Sequence, residues 1–168
     1  MVILGLGSNV GDRLAHLREA VHLLGAHISG MRYSRILESA PMLPEGAPSD
    51  WAMPFFNMAV AGDTQLSPSQ LLAEVKSIEQ RVGRVKRGFW GPREIDIDIL
   101  AMDTVCMDTP ELSIPHRGAM ERDFVLLPLL DVAPDWCCPT TGQRAADIAA
   151  QKKFALNASL RDSGLRIA

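Results

Sequence analysis

Short apolar runs separated by glycine, proline and polar residues divide the chain into strand-like and helix-like segments. Residues 2–6 and 55–61 are mainly apolar, which is typical of buried strands. Residues 31–39 predict one further strand, which ends before Pro41. Residues 95–101 largely alternate between apolar and polar side chains, so they predict a strand with two unlike faces.

The predicted helices carry start and stop signals of their own. Leucine and valine recur at helical spacing after Asp12, which is expected to cap this helix. Ser67 and Gln70 stand at the N-cap and N3 positions of a capping box, and Gly83 is expected to end the helix that follows. Each signal provides partners for backbone groups that a helix end leaves unpaired.

The remaining pattern completes an α+β architecture. Two more helices are expected at about 122–131 and 143–151, and a tight turn is expected to lead to a partner strand around 104–107. Strands interleaved with helices predict a mostly antiparallel sheet with helices packed on it. No repeat or linker divides residues 1–168, which predicts a single domain, and the tail from about 150 to 168 carries no functional signal.

Composition narrows the range of functions. The chain has 168 residues, of which 47% are hydrophobic and 22% charged, as in globular rather than disordered proteins. Its net charge of −3 argues against a protein that binds nucleic acid or an anionic membrane, and no apolar run approaches the roughly 18 residues of a membrane span. Three cysteines, two of them adjacent, make a poor disulfide framework, so a cytoplasmic protein is expected.

Two aspartates in the alternating strand are the first chemical signal. Asp96 and Asp98 would share one face, about 6.5–7 Å apart along the strand, while the flanking isoleucines face the core. Aspartate is uncommon in strands, and neighbouring carboxylates repel each other. Mg²⁺ prefers oxygen ligands and often bridges carboxylates to phosphates, so the pair predicts a divalent-metal site. The alternative is a solvated outer face of an edge strand.

A basic, glycine-rich loop comes directly before these aspartates. Within residues 81–93 stand five cationic side chains: Arg81, Arg84, Lys86, Arg87 and Arg93. Guanidinium groups suit bidentate contacts to phosphate, and Trp90 offers a flat face to a heterocycle. Together with the aspartates, the loop favours phosphate chemistry, although an exposed loop with solvated charges explains the basic residues taken alone.

Two further polar residues and a glycine-rich turn complete the candidates. His116 stands in a loop and could donate to a phosphate, although a lone loop histidine is commonly a surface residue. Asn57 lies inside an apolar strand and needs polar partners there. The turn at 5–11 lacks the third glycine of a dinucleotide-binding fingerprint and the lysine of a P-loop, so a tight strand-to-helix turn is the simpler interpretation.

Several of these motifs recur together in one known family. In chain order they are Gly7-Ser8-Asn9, Phe55-Phe56-Asn57, Gly83-Arg84, Trp90 to Asp98, Ile114-Pro115-His116 and Glu121 to Phe124. From about residue 2 to residue 136 the chain resembles the 6-hydroxymethyl-7,8-dihydropterin pyrophosphokinases of folate biosynthesis. The segment from Trp90 to Asp98 is the most specific part of the resemblance.

The resemblance implies a fold and a reaction. The fold would be ferredoxin-like, an α/β/α sandwich with helices on both faces of a mostly antiparallel sheet. The reaction would transfer the diphosphoryl group of ATP to the hydroxymethyl oxygen of 6-hydroxymethyl-7,8-dihydropterin and release AMP. Asp96 and Asp98 would hold two Mg²⁺ ions. We expect a monomer that binds neither nucleic acid nor a membrane.

The resemblance also assigns residues to the two substrates and to catalysis. For the pterin they are Pro41, Leu43, Phe55, Asn57, Trp90, Asp96 and Phe124, with the rings of Trp90 and Phe124 on either side of the heterocycle. For ATP they are Lys76, Glu79, Arg84, Lys86, Arg87, Arg93, Ile99, Ser113, His116 and Arg122, of which Ile99 and Ser113 would read adenine through their backbone. The expected catalytic residues are Arg84, Arg93, Asp96, Asp98, His116 and Arg122. Phe55 stands where the family often has tyrosine, and Phe89 where it usually has a basic residue.

Two other functions stay open on the residues alone. The chain could be a non-catalytic regulator that binds a nucleotide or a pterin, which a test for AMP release would distinguish from an enzyme. It could instead be a small nucleic-acid-binding module that uses the 83–93 loop. The net charge of −3 and the lack of aromatic runs on the predicted strands argue against that module.

Overall fold

The computed structural model describes residues 1–88, 90–157 and 159–167. The strands in these ranges are β1 (Val2–Ser8), β2 (Ser29–Tyr33), β3 (Leu37–Ser39), β4 (Phe55–Asp63), β5 (Asp96–Met102), β6 (Met107–Asp108), β7 (Ser113–Ile114) and β8 (Leu160–Asp162). The helices are α1 (Arg13–Leu24), α2 (Pro68–Val82), α3 (Asp123–Val132) and α4 (Ala145–Gln151). None of the helices in the described ranges combines the length and the apolarity that crossing a bilayer requires.

Six of the strands form one sheet in which every pair is antiparallel. β5, β1, β4, β3 and β8 are neighbours in that order, and β2 pairs with the other half of the β4 edge. β1 lies between β4 and β5, so Gly5 is opposite Asp98 and Gly7 is opposite Asp96. On the other side of β1, Gly7 is opposite Asn57. This register brings polar side chains from two strands next to glycines of the strand between them.

Each face of the sheet is covered by a pair of helices. α1 and α2 pack on one face, over a cluster that includes Leu4, Ile95 and Ile97. α3 and α4 pack on the other face, over a cluster that includes Ile3 and Leu100. The isoleucines of β5 thus face the first core, as the alternating pattern predicts, and the α/β/α sandwich is confirmed.

The helix boundaries follow the signals in the sequence. The Asp12 side chain accepts the N–H of Ala15 at the start of α1, and Ser67 and Gln70 form the reciprocal capping box of α2. Gly83 ends α2 with a φ of 103°, a conformation that glycine adopts without steric cost. The predictions of these two helices, and of those near 122–131 and 143–151, are confirmed.

Two of the predicted strands were wrong in detail. The single strand expected over 31–39 is two strands, because the Ser34 hydroxyl accepts the N–H of Ala59 and interrupts the regular pairing with β4. The strand expected around 104–107 as a partner of β5 is β6, which pairs with β7 in a separate two-stranded sheet. The chain turns away from β1 after β5 at Asp103, which has a φ of 45°, and the Val105 N–H donates back to the carbonyl of Met102 at 2.9 Å.

The C-terminal segment adds a strand to the main sheet. β8 is antiparallel to β3, and Leu160 is buried with Leu37 and Leu127. The Glu38 carboxylate of β3 accepts hydrogen bonds from the Arg161 guanidinium of β8. A segment without a functional signal in the sequence therefore supports the strand that leads into the functional site.

Candidate active site

A cavity opens where β1, β4 and β5 lie side by side, and its floor is the backbone of β1. Gly5 and Gly7 both line it. A methyl group on Gly7 would lie 3.1 Å from Asn57 Oδ1, and one on Gly5 would lie 3.2 Å from the Leu100 side chain. Glycine at both positions therefore leaves the space above the strand open to a ligand.

Ten of the residues assigned by the resemblance line this cavity. They are Pro41, Leu43, Phe55, Asn57, Trp90, Arg93, Asp96, Asp98, Arg122 and Phe124. The whole set assigned to the pterin is among them, together with two guanidinium groups and both aspartates. The lining combines flat apolar surfaces with groups that bind anions and cations.

Asn57 is oriented by a neighbour that the sequence did not reveal. Its Nδ2 donates to Ser39 Oγ at 2.8 Å, and both side chains are buried. Asn57 Oδ1 is thereby directed toward the space above Gly7, where it presents an acceptor to a ligand. The only signal for Ser39 was a small polar residue at the end of a strand, which many other positions share.

Asp96 is held between two guanidinium groups. Arg84 Nη1 lies 2.7 Å from Asp96 Oδ1, and Arg93 Nη1 lies 2.8 Å from Oδ2. Burial opposes ionisation of this carboxyl, but the attraction of Arg93, Arg84 and Lys76 outweighs it. The pKa of Asp96 is therefore held below its ordinary value, and the carboxylate stays ionised.

Asp98 has the opposite surroundings. Its carboxylate has no hydrogen bond or ion pair within the part of the chain that the structure describes. Burial and the charge of Asp96 raise its pKa, while His116, Lys76 and Arg122 act in the opposite direction. Neighbouring acids whose pKa values are driven apart are common at functional sites.

The two aspartates fit a divalent cation that shares its ligands with a substrate. No group of three or more His, Cys, Asp or Glu that could enclose a metal ion occurs in the described residues. Mg²⁺ usually takes one or two carboxylates and completes its shell with water and phosphate oxygens. The Asp98 oxygens, which have no hydrogen-bond donor among the described residues, suit such an ion.

Glu79 lies behind the acidic pair rather than in the cavity. It is 3% exposed and accepts the N–H of Ile97 in β5 at 2.8 Å. Its carboxylate also contacts Arg84 Nη1 at 2.5 Å and Lys76 Nζ at 3.1 Å. Burial raises the pKa of Glu79 against the attraction of these cations. Arg84 is thus fixed between Glu79 and Asp96.

Glu94 anchors the basic loop. Its carboxylate accepts the Val85 N–H at 3.0 Å and contacts Arg87 Nη2 at 2.5 Å. The bonds from Arg87 and then from Val85 outweigh the effect of burial and lower the pKa of Glu94 to about 2. Both Lys86 and Arg87 are exposed, but Arg87 is engaged by Glu94, whereas the Lys86 side chain has no hydrogen bond or ion pair among the described residues. Phe89, between them and Trp90 in this loop, lies outside the described residues.

His116 and Arg122 come together beside Gly118. A methyl group on Gly118 would lie 3.1 Å from Arg122 Cζ and 3.3 Å from His116 Cε1. His116 Nδ1 accepts the N–H of Gly118 at 3.1 Å, so the neutral ring carries its proton on Nε2. Both residues therefore offer donors near Asp98, on which both act electrostatically.

Ile99 and Ser113 lie apart from the cavity lining. The Ile99 side chain is buried in the core, and Ser113 Oγ donates to the carbonyl of Pro115 at 3.3 Å. β5 is an edge strand of the described sheet, which leaves one side of its backbone without a strand neighbour. The expected adenine contacts through backbone groups stay a prediction.

Fold and site together define a class of protein: an α+β sandwich whose cavity joins an acidic pair and guanidinium groups to aromatic side chains. The sequence model of the 7,8-dihydro-6-hydroxymethylpterin-pyrophosphokinase family matches residues 3–134. The chain belongs to this family, as its motifs indicated.

Curated relatives show the same relationship over most of the chain. The folate synthesis bifunctional protein of Chlamydia trachomatis is 43% identical over 136 residues, which are 79% of this chain and 30% of that protein. The 2-amino-4-hydroxy-6-hydroxymethyldihydropteridine pyrophosphokinase of Methylorubrum extorquens is 46% identical over 133 residues, 79% of this chain and 82% of that protein. The chain therefore spans about a third of the bifunctional relative and most of the other.

Solved structures support the fold. A triple mutant of Plasmodium falciparum HPPK-DHPS with STZ-DHP matches with a TM-score of 0.71 at 15% identity, over 90% of this chain and 43% of that one. An HPPK-DHPS in complex with substrates matches with a TM-score of 0.68 at 17% identity, over 90% and 43%. At these identities the likeness concerns the fold, and it agrees with the predicted α+β sandwich.

Proposed function

We propose that the protein transfers the diphosphoryl group of ATP to the hydroxymethyl oxygen of 6-hydroxymethyl-7,8-dihydropterin, which gives the pterin diphosphate and AMP. One observation carries the proposal: a single cavity holds both aspartates, two guanidinium groups and the complete set of side chains assigned to the pterin. Membership in the family and the name of the Methylorubrum extorquens relative support it.

The apolar part of the cavity suits a flat heterocycle. Trp90 and Phe124 supply ring faces for stacking, and Pro41 and Leu43 add apolar surface. Asn57 Oδ1 would accept a hydrogen bond from an N–H group on the edge of the pterin, because its Nδ2 is already bound to Ser39. The ring would rest on the bare backbone of β1.

The cationic groups suit the triphosphate. Arg93 and Arg122 line the cavity, and His116 offers an Nε2–H donor close to Arg122. Groups fixed in place before the reaction stabilise the charge that develops on the transferring phosphoryl oxygens. Arg84 is held by Glu79, and we infer that exposed Lys86, rather than Arg87, extends to the phosphates.

Asp96 and Asp98 would hold Mg²⁺, and we infer two ions. Bound magnesium would neutralise charge on the phosphate oxygens and so favour attack on the β-phosphorus. Arg84 and Arg93 keep Asp96 ionised for this purpose, and the Asp98 oxygens carry no hydrogen bond from the described residues. The chain thus contributes a pair of carboxylates and the orientation of both substrates.

The activity is tested by product analysis. Purified protein is incubated with ATP and 6-hydroxymethyl-7,8-dihydropterin, with Mg²⁺ or with a chelator, and nucleotides are separated by chromatography. AMP and pterin diphosphate are expected in equal amounts, and only when both substrates and Mg²⁺ are present. Binding of both ligands in calorimetry without AMP release would instead establish a non-catalytic binding protein, and release of ADP would establish a different transfer.

We further infer a single-domain monomer that works in the cytoplasm. The complete set of side chains assigned to the pterin lines one cavity, which suits a site that a single copy can form. Cys106, Cys137 and Cys138 are free, which suits a reducing compartment. Sedimentation is expected to show one species of about the chain mass, 18.3 kDa, and a stable dimer would contradict the inference.

A further inference from the structure

A single buried side chain joins three segments at the cavity. Asn9 follows β1 and is 3% exposed. Its Oδ1 accepts the backbone N–H of Arg93 at 2.8 Å, and its own backbone N–H donates to the carbonyl of Arg93 at 3.1 Å. Its Nδ2 donates to the carbonyl of Met53 at 3.2 Å. Asn9 thus ties the turn after β1 to the basic loop and to the segment before β4.

The two hydrogen bonds between Asn9 and Arg93 hold the backbone of Arg93 in place. Both polar backbone groups of Arg93 are bound to one residue, so the peptide groups on either side of its Cα are held. The guanidinium of Arg93 then reaches Asp96 at 2.8 Å. A long side chain holds a functional direction only if its own backbone and its neighbours are fixed. The direction of Arg93 therefore depends on Asn9.

The contact with Met53 acts on the opposite wall. Met53 stands two residues before Phe55, which lines the cavity at the start of β4. Arg13 Nη1 donates to the next carbonyl, that of Pro54, at 2.9 Å and supports the same segment. The carboxamide of Asn9 therefore connects the wall that holds Phe55 with the wall that holds Arg93.

We propose that Asn9 is a positioning residue that sets the Arg93 guanidinium and the Phe55 wall relative to each other. In the proposed reaction, this keeps the phosphates and the pterin ring at the distance that transfer requires, because small displacements of bound reactants are costly. The kinetic part of the inference rests on the proposed function. The structural part, the fixing of two segments, is independent of it.

Three variants separate this role from a general loss of stability. Asn9→Ala removes both side-chain hydrogen bonds. Asn9→Asp keeps the acceptor for the Arg93 N–H but can no longer donate to Met53, and it serves as the second test if Asn9→Ala does not fold. Ser34→Ala is the matched control, since Ser34 is also 3% exposed, also forms two side-chain hydrogen bonds to backbone groups and lies outside the cavity lining.

Hydrogen–deuterium exchange tests the structural part. Peptides covering 84–94 are expected to exchange faster in Asn9→Ala than in the wild type, and to regain protection in Asn9→Asp. Peptides covering 41–54 are expected to exchange faster in both Asn9 variants. Ser34→Ala is expected to leave both regions unchanged. Unchanged exchange of both regions in the two Asn9 variants would overturn the inference.

Kinetics test the functional part. We expect kcat/KM to fall about tenfold to a hundredfold in Asn9→Ala. In Asn9→Ala, KM is expected to rise for both ATP and the pterin. In Asn9→Asp, KM for ATP should return toward the wild-type value, because the Arg93 N–H keeps its acceptor, while KM for the pterin stays raised. Ser34→Ala should lower the thermal midpoint without changing either KM, and kinetic losses in it as large as those in Asn9→Ala would overturn the inference. A wild type that releases no AMP would disprove the proposed function, and the exchange data would still decide the role of Asn9.

Discussion

Asp96 and Asp98 are two residues apart on one strand face, yet their surroundings shift their pKa values in opposite directions. Asp96 has two guanidinium partners, and its pKa is lowered against the effect of burial. Burial and Asp96 raise the pKa of Asp98, which has no such partner among the described residues. Removing one charge or the other should therefore have opposite effects on stability.

Replacement of each aspartate by asparagine separates stability from activity. Asp98→Asn is expected to keep or raise the free energy of unfolding, because it removes a partly buried charge that repels Asp96. Asp96→Asn is expected to lower it by about 1–2 kcal/mol, because Arg84 and Arg93 lose their common partner. Both variants should release AMP at least about 100-fold more slowly. Urea denaturation and the AMP assay check these values, and normal turnover in either variant would contradict the assignment.

Single residues show how far the sequence allowed prediction. The aspartates, Trp90 and the arginines could be found because they cluster within a short segment. Asn9, Ser39 and Glu79 owe their roles to partners 84, 18 and 18 residues away, at Arg93, Asn57 and Ile97. No local pattern encodes such contacts, because they form only when the sheet register brings the segments together.

The basic loop is an element whose shape depends on one acid. Glu94 accepts hydrogen bonds from the Val85 N–H and the Arg87 guanidinium, so the first part of the loop is tied to the residue that directly follows the loop. The pKa of Glu94 is lowered to about 2 from an ordinary value of 4.5. The ionised form is therefore favoured by folding.

The pH dependence of stability should report this anchor. A lowered pKa means that the stabilisation is complete above pH 4.5 and is lost as the pH falls toward 2. The difference in urea midpoint between the wild type and Glu94→Gln is therefore expected to be largest near neutral pH and to close between about pH 4.5 and pH 2. Glu45→Gln, at an exposed position, is the control and should show no such difference. A gap that persists at pH 2 would rule out the anchor.

Whole elements were predicted where one local rule sets them. The capping box marks where α2 begins, and the alternating pattern marks the extent of β5. Both elements lie where expected. The prediction of a single strand over 31–39 was wrong because the residue pattern does not indicate that β2 and β3 pair with different halves of β4. β8 has only three residues and pairs with a strand more than 100 residues earlier, so no short window could identify it.

At the scale of the molecule, the chain closes on itself beside the cavity. β8 completes the sheet next to β3, which carries Ser39 at its end and continues to Pro41. Arg161 of β8 and Arg13 of α1 both bind the Glu38 carboxylate of β3. The last strand thus supports a wall built by residues near the start of the chain.

Two leucines near the C-terminus test this support. Leu160→Ala is expected to lower the free energy of unfolding by about 2–4 kcal/mol, because Leu160 is 2% exposed and packs on Leu37 and Leu127. Leu156→Ala, at a position that is 42% exposed, should change it by less than about 0.5 kcal/mol. Chemical denaturation measures both, and calorimetry should show weaker pterin binding in the Leu160 variant only. Equal stability losses would mean that the last strand is not part of the cooperative core.

The bare stretch at Gly5 and Gly7 limits what the cavity can accept. Side chains can change rotamer to admit a ligand, whereas the β1 main chain is paired along its length with a strand on each side and is held in place by both. Compounds that carry extra atoms on the side facing Gly5 and Gly7 should therefore bind poorly, even if the side chains on the other walls of the cavity move to make room. Substituents on an inhibitor should therefore be tolerated only on the sides of its ring that face away from the β1 backbone.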